Sequence, residues 1–209
     1  MAAIDPAIYE EMEISAETTD GSGKTIDLKL GVVKFNYYED LFSPTVTAQM
    51  LIVSAGGATK TNENGEGTEV LDTVYSGLPI RGGERVRIKI KPNSETNVPL
   101  EFDTPEKYFY VSNVARQFSD GSKEIFTLDL VSREAITNET SRVVKRYPKE
   151  SKISDHVKTI ITDRLASTIE DDDIDETVNK YGFIGNLKKP FHVLVWLASK
   201  SKPKDGKLP

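Results

Sequence analysis

Six carboxylates crowd into residues 170–176, and calcium coordination is the first chemistry such a run invites. A calcium loop needs alternating oxygen ligands and a glycine at its sharp bend. Here Ile174 interrupts the ligands and the glycine is missing, so the run reads as a solvated acidic loop. Asp103, Asp129 and Glu134 offer carboxylates for glycoside hydrolysis, but no spacing selects two of them across a cleft. The chain has two histidines, His156 and His192, too few for a histidine-rich metal site or relay. His156 adjoins an apolar helical stripe and reads as a helix-surface or interface residue; His192 reads as a buried polar contact. With no cysteine there is no disulfide, thiolate nucleophile or thiolate metal site. Gly82 and Gly83 lack a preceding strand and are followed by a strand rather than a helix. Close backbone packing or a bulge therefore explains them better than phosphate binding. No residue is assigned to catalysis, to a cofactor or to a metal.

The elements that would position such groups are mostly strands. Met12, Ile14 and Ala16 alternate with polar neighbours, a turn follows at 20–23, and Ile26, Leu28 and Leu30 resume the alternation, a hairpin pattern. Val33, Phe35 and Tyr37 share the face of a further strand that runs toward Pro44. Residues 45–53 place Val46, Ala48, Met50 and Ile52 on one side, and Leu51 on the other suggests cover on both. Residues 54–67, rich in glycine, asparagine and threonine, read as a mobile insertion. Thr68 then caps a short helix carrying Val70, Leu71, Val74 and Tyr75. Residues 76–91, SGLPIRGGERVRIKIK, start a strand in which Val86, Ile88 and Ile90 face opposite to Arg85, Arg87 and Lys89. A long hairpin spans 106–132; Phe109, Val111 and Asn113 share one face of its first strand, and Phe126, Leu128 and Leu130 share one face of its second.

The period then changes. Ser151 reads as the cap of a helix with Ile153, Val157, Ile160, Ile161 and Leu165 on one face. A second helix starts at Pro190, whose missing N–H costs nothing at a first helical position. These patterns give a mainly β fold: an antiparallel, tube-type β-barrel domain at 1–140, then an α-helical or α+β segment at 141–209 that begins a second domain and ends in a polar tail. The net charge of −6 gives no global reason to bind nucleic acid. No apolar run approaches a membrane span or a secretory signal, so membrane insertion is not expected and folding in a cytosol is. The basic cluster Arg142, Lys145, Arg146, Lys149 and Lys152 reads as a solvated linker or as a contact for an acidic protein surface, ahead of DNA.

Taken in order, five blocks resemble the N-terminal part of the baseplate central hub family of contractile-tailed bacteriophages. They are VKFNYYEDLFSP at 33–44, GLPIRGGERVRI at 77–88, FYVS at 109–112 with FTLDLVSRE at 126–134, SKIS at 151–154, and PFHVLVWLA at 190–198. The resemblance implies a non-enzymatic virion protein without cofactors. Such a protein is a homo-trimer whose paired barrel domains form a pseudo-six-fold ring. The ring would join the tail tube or its initiator to the central spike, contact adjacent baseplate proteins, and leave an axial channel through which DNA passes without specific binding. The family hub is longer than 209 residues. A distal-tail or tube-initiator protein, and a carbohydrate-binding module, are the alternatives. Interface candidates are Tyr37, Tyr38, Phe42, Arg85, Arg87, Lys89 and Tyr147. The three cations are expected to face a neighbouring subunit or solvent rather than an axial pore.

Overall fold

The computed structural model describes residues 7–17, 23–54, 59–61, 67–69, 74, 78, 80–94, 96–120, 123–170 and 173–204. The turn residues around Gly21 and Gly121, most of the helix expected after Thr68, the acids Asp171 and Asp172, and residues 205–209 lie outside them. The chain divides into two units, Met1–Arg133 and Glu134–Pro209.

Among the described residues, ten strands build the first unit: β1 (Ile8–Glu17), β2 (Gly23–Asp27), β3 (Val32–Tyr38), β4 (Thr47–Ser54), β5 (Thr59–Thr61), β6 (Gly67–Glu69), β7 (Arg85–Lys91), β8 (Leu100–Phe102), β9 (Phe109–Asp120) and β10 (Lys123–Ser132). Their order is β3-β4-β10-β9-β7-β1-β2-β5-β6, all antiparallel, with β8 paired to the end of β7. Seven of them, β3 round to β2, form an open, strongly curled half-barrel.

This corrects the closed barrel expected from sequence. Closure requires a ladder between β2 and β3, but the second edge of β2 is taken by β5, through Thr25 opposite Thr61 and Ile26 opposite Lys60. Among the described residues no ladder joins the two ends. The curl is held instead by the four residues that connect β2 to β3. The Leu28 N–H donates to the Met12 carbonyl of β1 at 2.6 Å, and the Val53 N–H of β4 donates to the Gly31 carbonyl at 2.8 Å. A Cβ on Gly31 would stand 2.9 Å from the Val53 carbonyl oxygen, so glycine is what lets this link lie against β4.

One apolar core fills the curl. Met12, Ile14, Met50, Ile52, Ile88, Phe109, Phe126 and Leu128 are all essentially inaccessible, and Val74, Leu78 and Ile80 pack into the same cluster. The Val74 N–H reaches the Ser54 hydroxyl at 3.0 Å, and the Leu78 N–H reaches the Val74 carbonyl, which ties this segment to the end of β4.

Several strands depart from the expected alternation because of bulges, which insert one residue and turn the following side chains to the other face. The β9–β10 register skips Ser112, so Val114 joins Phe109 and Val111 against the core while Asn113 is exposed. A shift in β3 after Val32 exposes Val33 and turns Val32, Phe35 and Tyr37 inward. Leu30 lies in the link rather than in a strand and is fully exposed. Thr68, expected as a helix cap, is in β6, and the described part of the 54–67 insertion is paired strand.

The second unit contains α1 (Arg133–Thr140, beginning at the boundary), β11 (Arg146–Tyr147), α2 (Ile153–Ile160), β12 (Phe183–Ile184) and α3 (Pro190–Ala198). The helix expected to be capped by Ser151 is capped one residue later, by Lys152, whose N–H donates to the Asp155 carboxylate. Its last five residues, Ile161–Leu165, widen into a π turn that ends at the left-handed Ala166. Pro190 opens α3 as expected. Val143, Tyr147, Ile153, Ile160, Val193 and Leu197 form a small core. Tyr147 stacks on Phe183 at 4.4 Å, and the buried His156 meets both rings edge-on. His156 Nε2 lies 2.8 Å from the Tyr181 carbonyl and 3.1 Å from that of Pro148. This places His156 inside the unit rather than on its surface. His192, expected to be buried, is exposed.

Candidate assembly site

The free end of the half-barrel is β3, which pairs with β4 on one side and, among the described residues, with nothing on the other. An unpaired strand edge presents N–H and C=O groups ready to accept another chain. Tyr37 and Tyr38, adjacent in sequence, point opposite ways. The Tyr37 ring packs inward, 5.6 Å from Phe102, and its hydroxyl donates to Glu39 at 3.1 Å. Burial first, and then the Glu39 carboxylate, raise its phenol above the usual range. Tyr38 is half exposed on the outer face.

Beyond β3 the chain turns sharply. The Asp40 carboxylate accepts the Phe42 N–H, its carbonyl accepts the Ser43 N–H, both at 2.9 Å, and the Ser43 hydroxyl donates to the Thr45 carbonyl. This turn holds Leu41 and Phe42 out at 93 % and 91 % exposure. Phe42 was a sequence candidate; Leu41 was missed. The available signal was its position, two adjacent apolar residues directly after two acids in a turn that needs no core contact.

The cationic stripe of β7 lies on the outer face, opposite the buried Val86 and Ile88. Arg87 reaches Glu11 at 3.0 Å and Glu13 at 3.1 Å on β1, and Lys89 reaches Glu101 at 3.4 Å on β8. The hydrogen bond that Lys89 donates to Glu101 and the charge of that carboxylate, with Asp103 and Glu10 adding, raise Lys89 above the ordinary lysine range. Arg85 is exposed at the start of the strand. Arg87 and Lys89 thus serve first as cross-strand partners.

The glycine pair ahead of β7 has a structural cause. Gly82 and Gly83 have φ of 104° and 91°, which side chains other than hydrogen disfavour. This conformation folds the buried Glu84 carboxylate back onto the N–H groups of Arg81 at 2.7 Å and Gly82 at 2.9 Å.

Tyr147, a candidate interface residue, is 3 % exposed and belongs to the core of the second unit. That unit offers a different surface. A concavity of about 380 Å³ opens between β12 and α3, with Phe183, Val193 and Trp196 against it and Ile184, Lys188 and His192 around it. Ile184, Leu187 and Val195 are exposed large apolar residues of the same unit. Asn186 and Leu187 are both left-handed, and the turn is pinned by the Leu187 N–H to the Val143 carbonyl at 3.0 Å.

Tyr37 and Phe109, aromatics that a carbohydrate platform would need exposed, are packed on the core. No group of three or more His, Asp or Glu side chains that could hold a metal ion occurs among the described residues. No described helix is long and apolar enough to cross a membrane.

No protein-family model and no curated protein matches the chain. Among solved structures, the fold is similar to that of a 43 kDa tail protein of prophage MuSo2 from Shewanella oneidensis, at a TM-score of 0.50 and 12 % identity. The likeness covers 91 % of this chain and 48 % of that one, so this chain spans about half the length of the tail protein whose fold it shares.

Proposed function

We propose that this chain is a structural protein of a contractile phage tail, a hub-like baseplate subunit that assembles into a ring between tail tube and central spike. The observation that carries the reading is the fold likeness to the MuSo2 tail protein along most of the chain. Two features of the molecule support it. A half-barrel with a free β3 edge is a unit incomplete in itself, and repetition around an axis is one way to pair or cover such edges. Charge is also distributed unevenly. Residues 1–133 carry 13 Lys and Arg against 21 Asp and Glu, a net −8, whereas residues 134–209 carry 14 against 12, a net +2. An acidic ring wall would let DNA slide past without the counterion-release adhesion that cationic surfaces produce.

In this role the chain acts in the virion by assembly, forms a homo-trimer, and binds tube or tube-initiator and spike proteins. Mass measurement of the chain alone and mixed with those proteins tests it; a trimer that recruits both is the expected result. Particle reconstruction supplies the second arm. A density for this chain away from the tail axis would overturn the reading, and a density at a ring without spike contact would favour a distal-tail protein instead.

A further inference from the structure

Two of the exposed apolar features among the described residues carry complementary charge. The tip beyond β3 projects Leu41 and Phe42, and the residues before them are the exposed acids Glu39 and Asp40. The second unit has a recess of about 380 Å³ lined by Phe183, Val193 and Trp196, a size suited to one aromatic or one aromatic with an aliphatic neighbour. Its surroundings are cationic or ionisable: Lys188 and His192 line it, and Arg146 sits opposite Ile184 in the β11–β12 pair. No ion pair among the described residues engages Glu39, Asp40, Arg146 or Lys188.

We propose that the Leu41-Phe42 tip of one copy seats in the recess of the second unit of a neighbouring copy. This rests on the ring-forming reading and specifies its contact. Tip-to-tip pairing would set Glu39 and Asp40 against their own duplicates, which like-charge repulsion opposes. Tip-to-recess pairing is heterologous, and repeated heterologous contacts close into a ring when the rotation per copy divides the circle. The left-handed turn at Asn186 and Leu187, pinned to the Val143 carbonyl, fixes Asn186 and Lys188 at the rim of the recess.

Trp196 is the chain's single tryptophan, so its emission reports on the recess alone. In the full chain, raising concentration through the association range should shift that emission to the blue as sedimentation shows oligomers forming. Phe42→Ala should weaken association about 30-fold. Glu39→Lys and Lys188→Glu should each weaken it about tenfold, and the double variant should recover most of the loss. A wild-type chain that stays monomeric at all concentrations overturns the proposal. So does an emission shift that is independent of concentration, because the tip would then be docked within its own chain. If Phe42→Ala assembles like the wild type with unchanged Trp196 emission, this contact is wrong while the ring reading stands.

Discussion

The two units solve the problem of staying folded with different materials. The first surrounds one large aliphatic and aromatic core with strands, and its outer charges are arranged as pairs across neighbouring strands, such as Arg87 with Glu11 and Glu13. The second has a core of six buried residues, an aromatic stack on His156, and several lysine–carboxylate clasps that join segments distant in sequence. A small core contributes less hydrophobic free energy, so backbone fit and ion pairing carry a larger share there. The first unit should therefore respond most to lost volume, and the second to steric intrusion and acid.

The largest effect is expected from Phe126→Ala, which empties a fully buried position of the first unit and should cost about 3–5 kcal/mol. Denaturant titration followed by circular dichroism should show the strand signal melting earlier, while Trp196 fluorescence, a probe of the second unit, moves little. Equal shifts in both probes would abolish the comparison, since they would show one cooperative unit. Next comes Gly185→Ala. Its Cβ would fall 2.3 Å from the Val143 carbonyl oxygen, and overpacking of this kind costs about 1–3 kcal/mol. Here the probes should reverse, with Trp196 leading.

Acid should also act on the second unit first. The hydrogen bonds from Lys189, Lys145 and Lys152 hold Glu139, Asp163 and Glu176 respectively below the usual carboxylate range. A carboxylate with a depressed folded pKa stabilises above its unfolded value, here 4.5 for the glutamates and 3.8 for Asp163, and that contribution is lost as pH falls through the folded value. A thermal melt repeated from pH 6 downward should lower the Trp196 transition before the strand transition. In the first unit Lys89 and Tyr37 are both raised; their contribution is present below 10.5 and 10.0 and is lost as pH rises through the folded values. The smallest effect belongs to Arg87→Ala, about 0–1 kcal/mol, because its side chain and those of both carboxylate partners are only partly withdrawn from water. A loss several times larger would mean that the outer face of β7 is more than a set of surface pairs.

What the sequence disclosed followed local regularity. In β4 and β7 the alternation is unbroken, and Ala48, Met50, Ile52, Val86 and Ile88 are buried as the period of two requires. Where a bulge intervenes, at Val33 or Ser112, the same reasoning assigns the wrong face, because the extra residue is set by the partner strand rather than by its own neighbours. Barrel closure was misjudged for a related reason: nothing in the sequence of β2 tells that its outer edge belongs to β5. Tyr147, between Arg146 and the Pro148-Lys149 pair, looks like surface, and its burial depends on Phe183, which is remote in sequence. Phe42 and its neighbour Leu41 are exposed in the same turn, and the sequence singled out the aromatic alone because aromatics are the usual interface anchors. The recess was not legible, since it forms only when β12 is laid beside α3.

The short link at 28–31 has a consequence for synthesis. The first four strands are two consecutive hairpins, yet in the finished sheet they occupy its two flanks, and β7, β9 and β10 fill the middle. The centre of the sheet is therefore made last as the ribosome delivers the chain. Until those strands emerge, Met12, Ile14, Met50 and Ile52 lack the cover they have in the finished unit. A nascent chain paused before β7 displays two tethered greasy faces, the condition under which incomplete chains stick to one another. Rapid translation through residues 85–132, or a chaperone waiting at that point, is the demand this strand order places on the cell that makes the chain.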